Sequence, residues 1–125
     1  LHLHGEILKM RSEWDTELIY PITSDIKLGD KGDDGAQLRP HIVWFGEAVP
    51  MIETALPIVQ SADIFVVIGT SLVVYPAAGL LNYANDEIPK YIIDRKIPPT
   101  SSIKNLIKIE EVATIGVSKL VGLIS

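Results

Sequence analysis

The sequence predicts an α/β protein, with a parallel sheet and its helices from residue 41 onward and a small, weakly cored lobe before it. From Ile42 onward, short apolar runs alternate with segments of helical spacing, the order that builds parallel strands joined by crossover helices. Ile64 to Ile68 is continuously apolar, as expected of a central strand covered on both faces. Between Leu18 and Gln37 there is only one brief strand-like run and a glycine-aspartate tract, too little apolar material for a large core.

In chain order, Leu1 to Met10 reads as a strand that turns near Gly5, with Ile7 and Leu8 carrying the apolar character beyond the turn. A charged segment, Lys9 to Glu17, follows. Leu18-Ile19-Tyr20 is strand-like and is stopped by Pro21, and Gly29 to Gly35 reads as exposed turn. After the short strand at Ile42, the residues Ile52, Ala55, Leu56, Val59 and Ala62 fall on one helical face. Pro57 fits best in the first turn of that helix, capped by Thr54. Asp63 to Ile68 is the next strand, Ala77 to Asn85 a helix, and Tyr91 to Asp94 a further strand. Ala113 to Ile124 closes the chain as a helix with Val117, Leu120, Val121 and Ile124 at core spacing.

Bulk properties narrow the function. A chain of 125 residues, 47% hydrophobic, is sufficient for one domain with a real core. A net charge of -5 and the lack of a Lys/Arg cluster argue against nucleic acid as a partner. No apolar stretch approaches the roughly 20 residues that cross a bilayer, and no export signal is visible, so a cytoplasmic protein with no membrane partner is expected. Cysteine is absent, which excludes disulfides and thiolate metal sites. His2, His4 and His41 do not form a spaced ligand set, and the tract from Asp30 fails as a calcium loop because Gly32 takes the third ligand place.

Three motifs carry chemistry. Gly69-Thr70-Ser71 sits at the carboxyl end of a strand, where open parallel sheets bind ligands; a glycine there lets the backbone approach a ligand, and the hydroxyls suit ribose or phosphate oxygens. By itself this is also an ordinary strand-to-loop turn. His4 stands in Leu3-His4-Gly5-Glu6, and imidazole accepts protons near neutral pH; a strand histidine with one satisfied nitrogen is the alternative. Leu38 to Pro50 places Trp44 and Phe45 beside Gly46 after a strand, with Trp44 expected to pack inward.

Taken together, Leu3-His4-Gly5-Glu6, Leu38 to Pro50, and Ile68-Gly69-Thr70-Ser71 with Val74-Tyr75-Pro76-Ala77-Ala78 resemble the C-terminal half of a sirtuin, the family of NAD-dependent protein lysine deacylases. The resemblance covers essentially the whole chain. It implies the C-terminal half of a Rossmann-like parallel sheet with helices, plus a small zinc-free lobe. Residues 1–6 would be the strand of the catalytic histidine, 7–40 the small lobe, and 41–125 the NAD-binding half. His4 would be the general base, whereas His2, which lacks the following Gly-Glu, would not. Gly69, Thr70 and Ser71 would contact NAD, with Asp94, Arg95, Lys96 and Ala113 at the adenosine end. Val43, Phe45, Gly46 and Glu47 would form one rail and Val74 and Tyr75 the other, between which an acyl-lysine peptide pairs as a strand.

Two departures from the family pattern matter. Asp94 stands where sirtuins usually place an asparagine, and the cysteine pairs that hold a structural zinc are missing, as in some bacterial members. The small lobe is then expected to be held by apolar contacts and loop turns. The family's Gly-Ala-Gly loop and Gln-Asn-x-Asp segment, which precede the histidine, do not occur in the chain, and it opens on Leu1 inside a strand-like run. A fragment with little activity alone is expected, with an exposed sheet edge that invites dimerisation. The competing reading is a non-catalytic nucleotide- or peptide-binding module. A dehydrogenase fragment lacks support, because no G-x-G-x-x-G follows a strand.

Overall fold

The structure is a computed structural model that describes residues 1–100 and 102–125. Two compact units divide it, Leu1–Met51 and Ile52–Ser125.

The first unit is built on an antiparallel sheet in the order β2-β1-β3, with β1 at Gly5–Ser12, β2 at Ile19–Pro21 and β3 at Leu38–Ile42. β1 pairs with β3 at Gly5↔Ile42 and again at Met10↔Pro40, with a bulge between the two. Ile7 and Leu8 lie in the bulged stretch and are exposed, so their apolar character serves no core within the unit. The strand expected from Leu1 therefore begins only at Gly5. A positive φ of 91° and the close approach of His41 mark where pairing starts.

Polar links hold this unit more than apolar ones. Ala36 and Leu38 are its buried hydrophobic residues, while the fully buried Ser12 donates to Asp34 and accepts from the amides of Trp14 and Asp15 at 3.0 and 3.2 Å. Asp34 also accepts from the Ala36 amide at 3.0 Å, and its carboxyl is held below its ordinary value by Ser12 first and Ala36 second. The side chain of Gln37 bonds the Gly29 amide and the carbonyls of Lys27 and Leu38. Side-chain links to loop backbone thus do the work assigned to apolar contacts, because the glycine-aspartate tract has amides to satisfy and little to bury.

The second unit has a parallel sheet in the order β4-β5-β6, formed by Phe65–Ile68, Lys90–Asp94 and Leu106–Glu110. The expected α/β class with a parallel sheet is therefore present. The central strand, however, is β5: Ile92 and Ile93 are fully buried, whereas β4 lies at an edge among the described strands and Ile68 is exposed. β6 was not anticipated from the sequence, because Lys108 and Glu110 interrupt its apolar pattern and Ile107 points to solvent.

Helix α1 spans Met51–Gln60 and α2 spans Ala113–Ile124. In α1, Ala55 and Val59 are buried and Pro57 lies inside the helix, so the helix starts earlier than a Thr54 cap requires. An interior proline costs about 3 kcal/mol. The apolar face extends to both sides of Pro57, and burying Ala55 and Val59 offsets part of that cost. Ala77–Tyr83 is a 3-10 helix, shorter than the helix expected to Asn85, and it buries Ala78, Leu80 and Leu81.

In α2 only Gly116 and Leu120 are buried; Val117, Val121 and Ile124 are exposed, contrary to their spacing. The contact is narrow because Gly116 lies directly against β5. A Cβ at Gly116 would come 2.2 Å from Ile93, so glycine permits the approach that lets Leu120 join Tyr91, Ile93 and Ile109 in the core.

At the start of β5, Lys90 is only 1% exposed, and its ammonium donates to the carbonyls of Asn85 at 2.6 Å, Ile88 and Lys104 at 3.3 Å, and Asp86 at 3.4 Å. One cation thereby satisfies carbonyls from the loops before β5 and β6.

Candidate functional site

His4 precedes β1 with its side chain exposed, and its imidazole makes no hydrogen bond or ion pair among the described residues. Its backbone is anchored, since the carbonyl accepts from the Val43 amide at 2.9 Å. Gly5 is what permits this junction. A Cβ there would fall 2.0 Å from the His41 carbonyl oxygen, so only glycine lets the chain after His4 meet the end of β3. His2 differs, because its Nε2 lies 3.9 Å from a carboxylate oxygen of Glu6. The structure therefore brings His4 and Val43 together within the first unit.

The turn after β3 carries Trp44, Phe45, Gly46 and Glu47. Phe45 is 95% exposed and Trp44 is 50% exposed, so Trp44 does not pack inward. Its ring lies under Arg39 instead, with the guanidinium carbon 3.8 Å from the ring centroid. Glu47 accepts from Arg39 Nη1 at 2.5 Å and Nη2 at 3.0 Å, and from the Trp44 amide at 2.9 Å. The Arg39 hydrogen bonds foremost, then the Trp44 amide, hold the Glu47 carboxyl well below its ordinary range, at about 2.

That shift has a stability consequence. A depressed folded-state value stabilises the fold above the ordinary carboxylate pKa of 4.5, and the contribution is lost as pH falls from there toward about 2. Glu47→Gln is therefore expected to unfold more readily than the parent near neutral pH, with the gap between their urea midpoints closing as pH falls through that window. Parallel midpoints at every pH would contradict the assignment.

Within the same unit, a cleft of about 630 Å³ is lined by apolar residues including Leu1, Leu3, Ile42 and Val43, and by Arg11 and Glu47. His4 is not among its lining residues, although His2 and His41 are. Arg11 and Arg39 were given no role by sequence reasoning. The signal for Arg39 was its position at the head of the motif, eight residues before Glu47.

The second unit gathers its candidate residues at one edge. Since β4, β5 and β6 are parallel, Gly69-Thr70-Ser71, Asp94-Arg95-Lys96 and Ala113 all lie at or just beyond the carboxyl ends of strands, Asp94 being the last residue of β5. The Gly69 amide donates to Ile93 O at 2.9 Å, which fixes it beside the end of β5. Gly69 has φ +67° and open space where a side chain would stand, and Thr70 and Ser71 are exposed. A nucleotide fits these features, because exposed hydroxyls and an unshielded backbone are available at that edge. Asp94 is partly committed, since its Oδ1 accepts from the Lys96 amide at 3.1 Å. Arg95, Lys96 and Ala113 are exposed. Val74 and Tyr75 are exposed in the loop before the 3-10 helix, where the Val74 carbonyl accepts from the Ala78 amide at 2.9 Å.

Among the described residues, no group of three or more His, Asp or Glu side chains could hold a metal ion, and no helix is long and apolar enough to cross a membrane.

Comparison with known proteins adds three findings. A model of the Sir2 family matches residues 1–76, a span that includes His4, the Val43 to Glu47 turn, Gly69 to Ser71, Val74 and Tyr75. An NAD-dependent protein deacylase of Bacteroides thetaiotaomicron is 48% identical over 126 residues, covering 96% of this chain and 54% of that protein. One from Helicobacter pylori is 52% identical over 96 residues, covering 77% of this chain and 42% of its own length. The chain thus spans about half the length of the curated relatives it matches. Among solved structures, a Sir2 homologue in complex with ADP-ribose matches with a TM-score of 0.80 at 30% identity, over 99% of this chain and 51% of that one. A Sir2 protein bound to a propionylated peptide matches with a TM-score of 0.73 at 29% identity, over 99% of this chain and 56% of that one.

Proposed function

Because the chain belongs to the Sir2 family, we propose that it is the C-terminal part of an NAD-dependent protein lysine deacylase, of deacetylase or desuccinylase type, that transfers the acyl group to ADP-ribose and releases nicotinamide. One observation carries this reading: an exposed imidazole at His4, without a partner among the described residues, is tied through its backbone to Val43, at the head of an exposed turn, inside the span that matches the family.

In this reading His4 is the general base that takes a proton from a ribose hydroxyl. Gly69, Thr70 and Ser71 bind the nucleotide, and Asp94, Arg95, Lys96 and Ala113 lie toward its adenosine end. NAD supplies a ribose carbon that becomes open to attack when nicotinamide leaves. Val43, Phe45, Gly46 and Glu47 offer one backbone rail to an acyl-lysine protein substrate, and Val74 and Tyr75 offer the other. Support comes from the deacylase relatives and from the Sir2 structures that hold ADP-ribose or an acylated peptide.

The division into residues 1–6, 7–40 and 41–125 belongs to the same proposal, as do a zinc-free lobe and a cytoplasmic location. Pairing of two copies through an exposed sheet edge is a further part of it. For the chain alone, a binding fragment without turnover is the second reading, favoured by its span of about half the length of its relatives.

The test is incubation with nicotinamide-labelled NAD and an acetyl-lysine peptide, using both the 125-residue chain and the protein at its natural length. Nicotinamide release coupled to deacylation is expected from the natural-length protein, and little from the chain alone. Brisk release by the chain alone would contradict the fragment reading, and acyl loss without NAD consumption would contradict the deacylase reading.

A further inference from the structure

Resting on the deacylase reading, we infer that Arg39, Glu47 and the Trp44 ring form a clamp that presets the turn from Trp44 to Gly46 for the substrate peptide. Arg39 and Glu47 are thus positioning residues for peptide binding. The side chain of Arg39 is 13% exposed and grips both oxygens of Glu47 in a fork, at 2.5 and 3.0 Å. Its Nη2 also donates to Ile42 O at 3.4 Å, the last residue of β3, and its guanidinium carbon stands over the Trp44 ring. Glu47 in turn bonds the Trp44 amide, and the Glu47 amide donates to Trp44 O at 3.1 Å. Both ends of the turn are therefore tied to one ion pair.

The distribution of bonds shows what the clamp is for. The Glu47 carboxylate already has three donors within 3.0 Å and Arg11 Nη2 at 4.0 Å, so it acts through the turn and not on the peptide. Phe45 and Gly46, which lie between the clamped ends, are exposed. Gly46 has φ +89° and nothing within 4 Å of where a side chain would stand. A peptide that adds as a strand must find this backbone already shaped, because ordering a loop at the moment of binding costs affinity. Lysine at position 39 would keep the charge but lose the fork and the planar stack on Trp44.

The test uses the natural-length protein with Glu47→Ala and Arg39→Lys, measuring the unfolding midpoint and the KM values of an acetyl-lysine peptide and of NAD. Peptide KM is expected to rise about ten-fold in Glu47→Ala, the loss equivalent to one charged hydrogen bond, and less in Arg39→Lys. NAD KM and kcat at saturating peptide are expected to stay within about two-fold in Arg39→Lys. The part of the tryptophan emission that a Trp44→Phe substitution removes is expected to shift in both variants as the contact with Arg39 is lost.

Unchanged peptide KM in both variants, or an NAD KM that rises in step with it, overturns the clamp. Should Glu47→Ala fail to fold, Arg39→Lys decides by the same criteria. The unmutated protein separates the two levels: if it lacks NAD-dependent deacylation, the functional reading fails and the clamp's role fails with it.

Discussion

His4→Ala is expected to lower kcat by roughly 100- to 10,000-fold in the natural-length protein, the contribution general-base help makes in enzymes. The imidazole is exposed and has no bonded partner among the described residues, so its removal takes away no packing and orphans no buried group. The backbone that places it is held independently, by the bond from the Val43 amide to the His4 carbonyl. Stability and ligand affinity are therefore expected to change little while turnover falls. His2→Ala is the matched control two residues away. His2 lies beside Glu6 and has no part in the proposed chemistry, so its variant is expected within about two-fold of the parent. A His4→Ala protein retaining more than about a tenth of parental kcat would contradict the assignment.

Gly5→Ala is expected to cost about 3 kcal/mol or more, enough to unfold much of the first unit. Two independent penalties combine. The residue has φ +91°, a conformation L side chains rarely adopt, and its Cβ would stand 2.0 Å from His41 O and 2.9 Å from Ile42 Cα. Both neighbours are backbone atoms of β3, so no side chain can move aside; the strand pairing itself must shift. Gly35→Ala isolates the first penalty, because Gly35 has φ +80° and open space around the same position. It is expected to cost about 1–2 kcal/mol. The difference between the two variants, measured as urea midpoints at unchanged m, measures the close approach alone. Equal losses would show that the approach of β3 does not constrain Gly5.

Where several candidate residues lie in the fold was legible because motif residues are constrained locally. Gly5 follows His4 for a reason sequence could name only by resemblance, and the geometry supplies it: the end of β3 passes where a side chain would be. The carboxyl-edge placement of Gly69 and Asp94 followed from reading β4 and β5 as parallel strands, and β4 pairs with β5 in that sense. What escaped depends on partners distant in sequence. Ser12 and Asp34 are 22 residues apart, and neither looks like a staple until the loops bring them together.

Periodicity also misled in specific ways. Val117, Val121 and Ile124 have core spacing but stand exposed, because Gly116 fixes a narrow contact with Ile93. Ile107, Lys108 and Glu110 hid β6, an edge strand paired only with β5 among the described residues, so that its mixed pattern resembled a loop. Lysine is ordinarily a surface residue, yet Lys90 is buried, with four carbonyls around its ammonium.

The most direct test of the account follows the acyl group itself. The natural-length protein is incubated with NAD and a peptide bearing an isotope-labelled acetyl-lysine, and the products are resolved by mass spectrometry. The label is expected on ADP-ribose, one equivalent for each nicotinamide released and each free lysine formed, and to appear there at least about a hundred-fold more slowly in His4→Ala. Label recovered as free acetate while NAD remains intact would contradict the account.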